Sequence, residues 1–496
     1  MITTRKASRF YVPGIFSLAL MLAPGFAAAG GAKDSGGSKP PTVCDGISGK
    51  AGGLCKTYCE ELDCDWNPGA PAKECKKIRK KYLHKTGESE LPCETQSLGC
   101  VVGDSGNAPP SPFDIGDGNN YGSRRLELTV PAQCYCDGVD CTPCPVVVGY
   151  HGFGQTGTSR NSWRSRLEPK GEAAGFISLY PTGDFTVTNY AFSPDENWAV
   201  PSCQDPVDGC LLEDGIPCDW CGSNTEDEAI STQREIDFTR AIVKWTMDNQ
   251  CVDPGQIFGT GYSNGGLMAH LLARHPDTSG LFKALVPVDG VDQAGMSDHL
   301  RWITPPRKGD SPWILHVNEI FDRFEPYDGR PYTDFAGNAG GGWNPVWIYP
   351  PVLQIFAEYA DNNKAYKACG FGPNDVGDRF GALDVGGVVP EGYRKLDGPD
   401  SLEGEGQDKF HCFTKDKSGK KGKSGKNSCD NLAICLWDSG EPGDDLEDPH
   451  GRAGREWSGG TDPGTGGTGA MDIMWRFMQM SVADKDSDSD SDSDSN

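Results

Sequence analysis

From residue 106 to residue 483 short apolar runs alternate with longer amphipathic stretches. RRLELTV (124–130) alternates apolar and polar positions, as a strand with one solvated face does, whereas PVVVGYHG (145–152) and GFISLYP (175–181) are continuous apolar runs suited to strands buried on both faces. QREIDFTRAIVKWTMDN (233–249) has helical periodicity and leads into a further strand, QIFGTG (256–261). FKALVPVDG (282–290), PWILHVNE (312–319) and NLAICLWD (431–438) read as strands, and GAMDIMWRFMQMSV (469–482) as a closing amphipathic helix. Strands separated by helical stretches over this length predict the α/β class, a mostly parallel sheet with helices on both faces.

The flanks follow other patterns. Residues 1–29 place Arg5, Lys6 and Arg9 before an apolar stretch, Tyr11 to Phe26, and three alanines, the order of a secretory signal peptide. Residues 30–41 form a flexible linker, and residues 42–105 a cysteine-rich module with cysteines at 44, 55, 59, 64, 75, 93 and 100. Cys55 and Cys59 are four apart, on one face of a helix, and PAKECKKIRKKYLHKTG opens with Pro71 and closes at Gly87 like a second helix, so two stapled helices are expected. Zinc is the competing reading of such spacing. What this module binds is not legible in its sequence. Residues 484–496 are an acidic Ser-Asp repeat with no apolar residue to fold around, expected to be disordered.

Composition narrows the function. Twenty cysteines fit an oxidising, extracellular compartment, and a formal net charge of −25 argues against nucleic acid, whose phosphates require a basic face. No segment is long and apolar enough to be read as a membrane span. The basic, Gly/Ser-rich stretch 414–428 lies between Cys412 and Cys429 and reads as a disulfide-closed surface loop, with a polyanion site as its alternative. Cys134, Cys136, Cys141 and Cys144 crowd the approach to the first core strand, while Cys203, Cys210, Cys218 and Cys221 mark a long loop read as a cleft wall.

GTGYSNGG (259–266) joins the strand QIFGTG to the apolar run LMAHLLA. A Gly-x-Ser-x-Gly pattern between a strand and a helix places the serine on a sharp turn with its hydroxyl projecting over the sheet edge, and Gly261 and Gly265 remove the Cβ atoms that would clash there. Ser263 is therefore the candidate nucleophile, against the plainer reading of a glycine turn. Acyl transfer also needs donors for the oxyanion. The backbone N–H groups of Asn264, next after the nucleophile, and of Phe153, in YHGFGQTG, are placed to supply them. His151 reads as a brace of its loop.

YHGFGQTG, GFISLYPTG, EIDFTRAIVKW, CVDPGQIFGTGYSNGG and HVNEIFDRFEPYDG, in this order, resemble the secreted α/β-hydrolases grouped as polyhydroxybutyrate depolymerase and feruloyl esterase-like enzymes, over roughly residues 120–480. The resemblance implies the α/β-hydrolase fold and a Ser-Asp-His esterase without metal or organic cofactor. Its substrates would be esters of hydroxyalkanoates or of phenolic acids on plant polysaccharide. The acid falls at Asp322 in FDRFEPY; the family's His-Gly-Thr is replaced by Asn318-Glu319-Ile320, so Glu319 and Glu325 stand as alternatives. In the Ser, Asp, His chain order of this fold the base follows the acid, which leaves His411 and His450. His450, between the last strand and the last helix, is preferred, although SGEPGDDLEDPHGRAGREW stands where the family has Gly-His-Thr-Trp-Pro. The alternative in a different class is a non-catalytic secreted adhesion or surface-binding protein on the same scaffold.

Overall fold

The computed structural model describes residues 47–58, 72–86, 124–135, 142–152, 155–157, 164–183, 226–290, 311–319, 322, 352–363, 366, 369–371, 393–396, 409–415, 429–438 and 470–489. Two helices come first, α1 (Gly49–Lys56) and α2 (Ala72–Thr86). They enclose the buried Cys55, Tyr58, Ile78 and Tyr82, the helical pair expected of the cysteine-rich module, and Cys55 is disulfide-bonded.

The sheet follows. Its strands are β1 (Leu126–Thr129), β2 (Cys144–Tyr150), β3 (Ile177–Pro181), β4 (Val252–Tyr262), β5 (Ala284–Val288), β6 (Trp313–Glu319), β7 (Tyr393–Lys395), β8 (Lys409–Lys415) and β9 (Leu432–Asp438). Their order is β1-β3-β2-β4-β5-β6-β9-β8-β7. The central six, from β3 to β9, run parallel; β1 pairs antiparallel with β3, and β8 and β7 continue antiparallel beyond β9.

Both faces are covered, as the unbroken apolar runs require. On one face Val146, Val148, Leu285 and Ile314 pack with α4 (Glu226–Asn249), α5 (Asn264–Arg274) and α6 (Val352–Asn362). On the other, Val147, Phe258, Val286 and Leu315 meet α3 (Arg164–Ala174) and α7 (Ala470–Ser489). Residue-by-residue alternation along β2 thus feeds two separate cores. At one margin Arg124, just before β1, forms a buried two-pronged ion pair with Glu235 of α4, at 2.8 and 2.6 Å, with its guanidinium 4.6 Å from the Phe238 ring centroid.

Three features depart from the sequence reading or add to it. Helix α7 continues to Ser489, into the Ser-Asp repeat expected to be disordered from residue 484, because adding a turn to a formed helix needs no new nucleation. Cys412 pairs with Cys435, its cross-strand partner on β9, so a β-ladder bridge rather than a Cys412–Cys429 bond closes the basic segment. Strands β7 and β8 add an antiparallel wing that the apolar pattern did not announce. The Cys134–Cys144 bridge clamps the entry to β2.

Candidate active site

Strand β2 lies between β3 and β4, so the chain reverses its direction of winding between β2 and β4. Crevices at such a switch point, outside the carboxyl ends of the strands, are where α/β sheets bind ligands. Of the groups singled out in the sequence, those that cluster on this edge are the His151–Gly152 pair, which follows β2, Ser263, which follows β4, and Glu319 and Asp322, which end and follow β6.

Ser263 sits between β4 and α5 with φ 54° and ψ −121°, a conformation that side-chain-bearing residues avoid, at a cost of about 1–3 kcal/mol. The surroundings hold it there. Its N–H donates to the Val288 carbonyl at 2.9 Å, and its own carbonyl accepts from Gly266 at 2.7 Å and Leu267 at 3.1 Å. The flanking glycines are required by close approach: a Cβ on Gly261 would lie 2.0 Å from the Gly265 oxygen, and one on Gly265 would lie 2.1 Å from the Tyr150 oxygen. The second contact presses the serine turn against the end of β2. The side chain makes no capping bond to its own helix. Asn264, buried, is the first residue of α5, so its N–H belongs to the helix's positive end.

His151 is buried and spans its loop. Its Nδ1 donates to the Gly152 carbonyl at 2.9 Å and its Nε2 accepts the Gly183 N–H at 2.9 Å, which fixes one neutral tautomer. Burial pulls its pKa down to about 4. With both ring nitrogens engaged, this histidine braces the loop, as its sequence context suggested.

Beyond the end of β6, Asp322 is buried, and its N–H donates to the Glu319 carbonyl at 3.3 Å. Glu319, the last residue of β6, is buried as well. His411 lies within β8 opposite Leu436 of β9, and β8 is four strands from β4, roughly 19 Å at the usual strand spacing. That placement removes it from reach of Ser263. His450, Phe153 and Glu325 lie outside the described residues.

One residue of this edge escaped the sequence reading. Asp289, directly after β5, has φ 41° and is fully buried, and its Oδ1 accepts the Glu319 N–H at 2.7 Å. Its only signal was an Asp-Gly pair closing an apolar strand, which reads as an ordinary turn. Across the edge, burial lowers the Arg166 guanidinium of α3 to about 10, with the charges of Tyr262 and Asp289 acting in the opposite sense.

No family model matches this chain, and no curated protein does. Solved structures resemble it. An acetyl xylan esterase from Aspergillus awamori is 14% identical, with 64% of this chain and 89% of that one covered at a TM-score of 0.33. An S-formylglutathione hydrolase from Staphylococcus aureus is 12% identical over 40% of this chain and 72% of that one, with a TM-score of 0.26. A poly(3-hydroxybutyrate) depolymerase from Bordetella parapertussis is 15% identical over 40% and 61%, with a TM-score of 0.24. Likenesses of this degree leave the chemistry to the chain's own geometry. The strand order, the switch point and the serine turn together describe an α/β-hydrolase-like fold.

Proposed function

We propose that this protein is an exported serine esterase that hydrolyses carboxylic esters through an acyl-enzyme. The observation that carries the reading is the backbone of Ser263, held at φ 54° and ψ −121° between a parallel strand and a helix start. A turn with that strain projects a hydroxyl over the sheet edge, and strain of this kind persists where a site uses it.

In the proposed cycle His450 takes the Ser263 hydroxyl proton as Oγ attacks the ester carbonyl carbon. The tetrahedral oxyanion is met by the backbone N–H groups of Asn264 and Phe153. The C–O bond to the leaving alcohol breaks as His450 returns the proton to that oxygen, leaving the acyl group on Ser263. Water, deprotonated by the same imidazole, then releases the carboxylic acid and restores the serine. Asp322 orients the imidazole and stabilises its cationic form. His450 is supported as base by elimination: it and His411 are the histidines that follow Asp322, and His411 is four strands from the serine strand. Polymeric esters, polyhydroxyalkanoate or feruloylated polysaccharide, are the substrates the sequence resemblance favours.

Turnover of a panel of feruloyl, short-acyl and 3-hydroxybutyrate esters tests the proposal. The expected result is hydrolysis of at least one class by the wild type and a loss of about a thousandfold or more in Ser263→Ala. A folded wild type inert on every ester, or a Ser263→Ala variant as active as its parent, overturns it.

A further inference from the structure

Beneath the acid side of this edge a chain of buried side chains ends on the Glu319 carbonyl. It begins on α6 with Tyr359, whose hydroxyl lies 2.9 Å from Nδ1 of His270 on α5. His270 Nε2 is 3.1 Å from His316 Nδ1, and His316 Nε2 is 3.0 Å from Asn318 Oδ1. The Asn318 amide nitrogen then donates to the Glu319 carbonyl at 3.0 Å. That last bond sets the direction of all the others. Because the amide nitrogen is the donor to Glu319, Asn318 Oδ1 is an acceptor and His316 must carry its proton on Nε2. His316 Nδ1 then accepts from His270 Nε2–H, and His270 Nδ1 accepts from the Tyr359 hydroxyl. Every bond is made with both imidazoles neutral, and burial keeps them so, lowering His316 to about 4 and His270 well below its usual value.

The backbone of Glu319 is held on the other side of its Cα as well, at its N–H. Asp289 Oδ1 accepts the Glu319 N–H at 2.7 Å, and the Glu319 carbonyl, besides the Asn318 amide, receives the Asp322 N–H at 3.3 Å. Asp289, Asn318 and Glu319 are fully buried and Asp322 nearly so. Asp289 is itself tied to the nucleophile's turn: Ser263 N–H bonds the carbonyl of Val288, the preceding residue, and Asp289 N–H bonds the Val317 carbonyl of β6.

We infer that Asp289 and Asn318 are positioning residues for the acid of this site: they fix Glu319 at its N–H and at its carbonyl, and Asp322 is hung from that carbonyl. The inference rests on the assignment of Asp322 as the acid. It makes Asp289 the link that sets the spacing between the serine turn and the acid turn. Its carboxylate does so as a hydrogen-bond acceptor at Oδ1, an office that an amide oxygen fills equally. Displacements of about 1 Å in such constellations are enough to cost on the order of a hundredfold in rate.

Replacements at Asp289 separate the backbone demand from the clamp. Glycine accepts φ 41° and removes the acceptor; asparagine tolerates the left-handed region and keeps an oxygen in place. For full-length protein, Asp289→Gly is expected to lower kcat about ten- to a hundredfold with KM within about twofold, and Asp289→Asn to restore kcat to within about threefold of wild type. Asn318→Asp, which keeps the acceptor for His316 and loses the donor to Glu319, is expected to lower kcat in the same manner. Wild-type kcat in Asp289→Gly overturns the clamp. So does an Asp289→Asn variant as slow as Asp289→Gly, since the charge rather than the hydrogen bond would then matter, and so does a change in KM alone. Labelling of Ser263 by a fluorophosphonate in the wild type is recorded alongside: its absence removes the esterase reading, whereas its presence with unaffected Asp289 variants removes only the positioning role.

Discussion

The N–H of Ser263 donates to the carbonyl of Val288, one residue before Asp289, so the turn that carries the serine is bonded to the strand that carries the aspartate. Among the described residues these two, Ser263 and Asp289, are the side-chain-bearing positions with positive φ, at 54° and 41°. Strain has been placed at the ends of adjacent strands on the edge where the sheet changes winding direction.

Relieving the strain at the serine is expected to stabilise the fold while removing the chemistry. Ser263→Gly takes the same backbone without the Cβ conflict and should raise stability by about 1 kcal/mol, a shift of a few degrees or less in Tm for a domain of this size. Thermal unfolding and ester turnover are measured on the same preparation. A Gly variant less stable than wild type would show that the serine side chain itself supports the turn.

The two histidines after the acid are expected to part company. His450→Ala should lose at least about a thousandfold in kcat/KM, whereas His411→Ala, in a strand four positions removed from β4, should stay within about threefold. Steady-state kinetics on any ester the wild type cleaves settles it, and a dead His411→Ala would contradict the assignment.

Stability is expected to fall with acid through buried histidines. Burial holds His151 and His316 at about 4 and His270 well below its usual value, while each titrates near 6.5 in an unfolded chain. Between about pH 4 and 6.5 the unfolded chain therefore binds more protons than the native one. The stabilisation is fully present above pH 6.5 and is lost as pH falls through the window, by on the order of 3 kcal/mol for each ring at about 4. Urea midpoints should drop from pH 7.5 to pH 5, and the NMR shifts of these imidazoles should remain those of neutral rings at pH 5. Rings that protonate near pH 6.5 in the native state would contradict this.

The Arg124–Glu235 pair has both side chains almost wholly out of solvent. Removing one charge leaves the other buried alone, at about 3–5 kcal/mol. Glu235→Gln should therefore lower the denaturation midpoint strongly, and Arg124→Met with Glu235→Leu should recover much of the loss. A single variant no less stable than the double one would show that the pair is not coupled.

Much of the sheet was legible in the sequence because strands buried on both faces must be apolar throughout. PVVVGYHG, GFISLYP and FKALVPVDG became β2, β3 and β5 with ends shifted by only one to two residues. Strand β8, KFHCFTK, was missed: it lies on the far wing, mixes Lys, His and Thr with aromatic residues, and is bonded to β9 by a disulfide and a ladder that no local pattern encodes. At the site, the glycines of GTGYSNGG announced the serine turn because their reason is local, a close approach of backbone to backbone. Asp289 and the His270–His316–Asn318 chain were not announced. Their contacts join residues 30 and 46 positions apart in sequence, and apart from its partner each reads as an ordinary polar residue at a strand end or in a core.

The central claim is that Ser263 is a nucleophile, and a covalent probe tests it most directly. Full-length protein is incubated with a fluorophosphonate, digested, and its peptides mapped by mass spectrometry. The account expects one stoichiometric adduct, on Ser263 in the segment GTGYSNGG, absent from Ser263→Ala and slowed at least about a hundredfold in His450→Ala. Folded wild-type protein that takes up no probe, or an adduct on another residue that persists in Ser263→Ala, would contradict it.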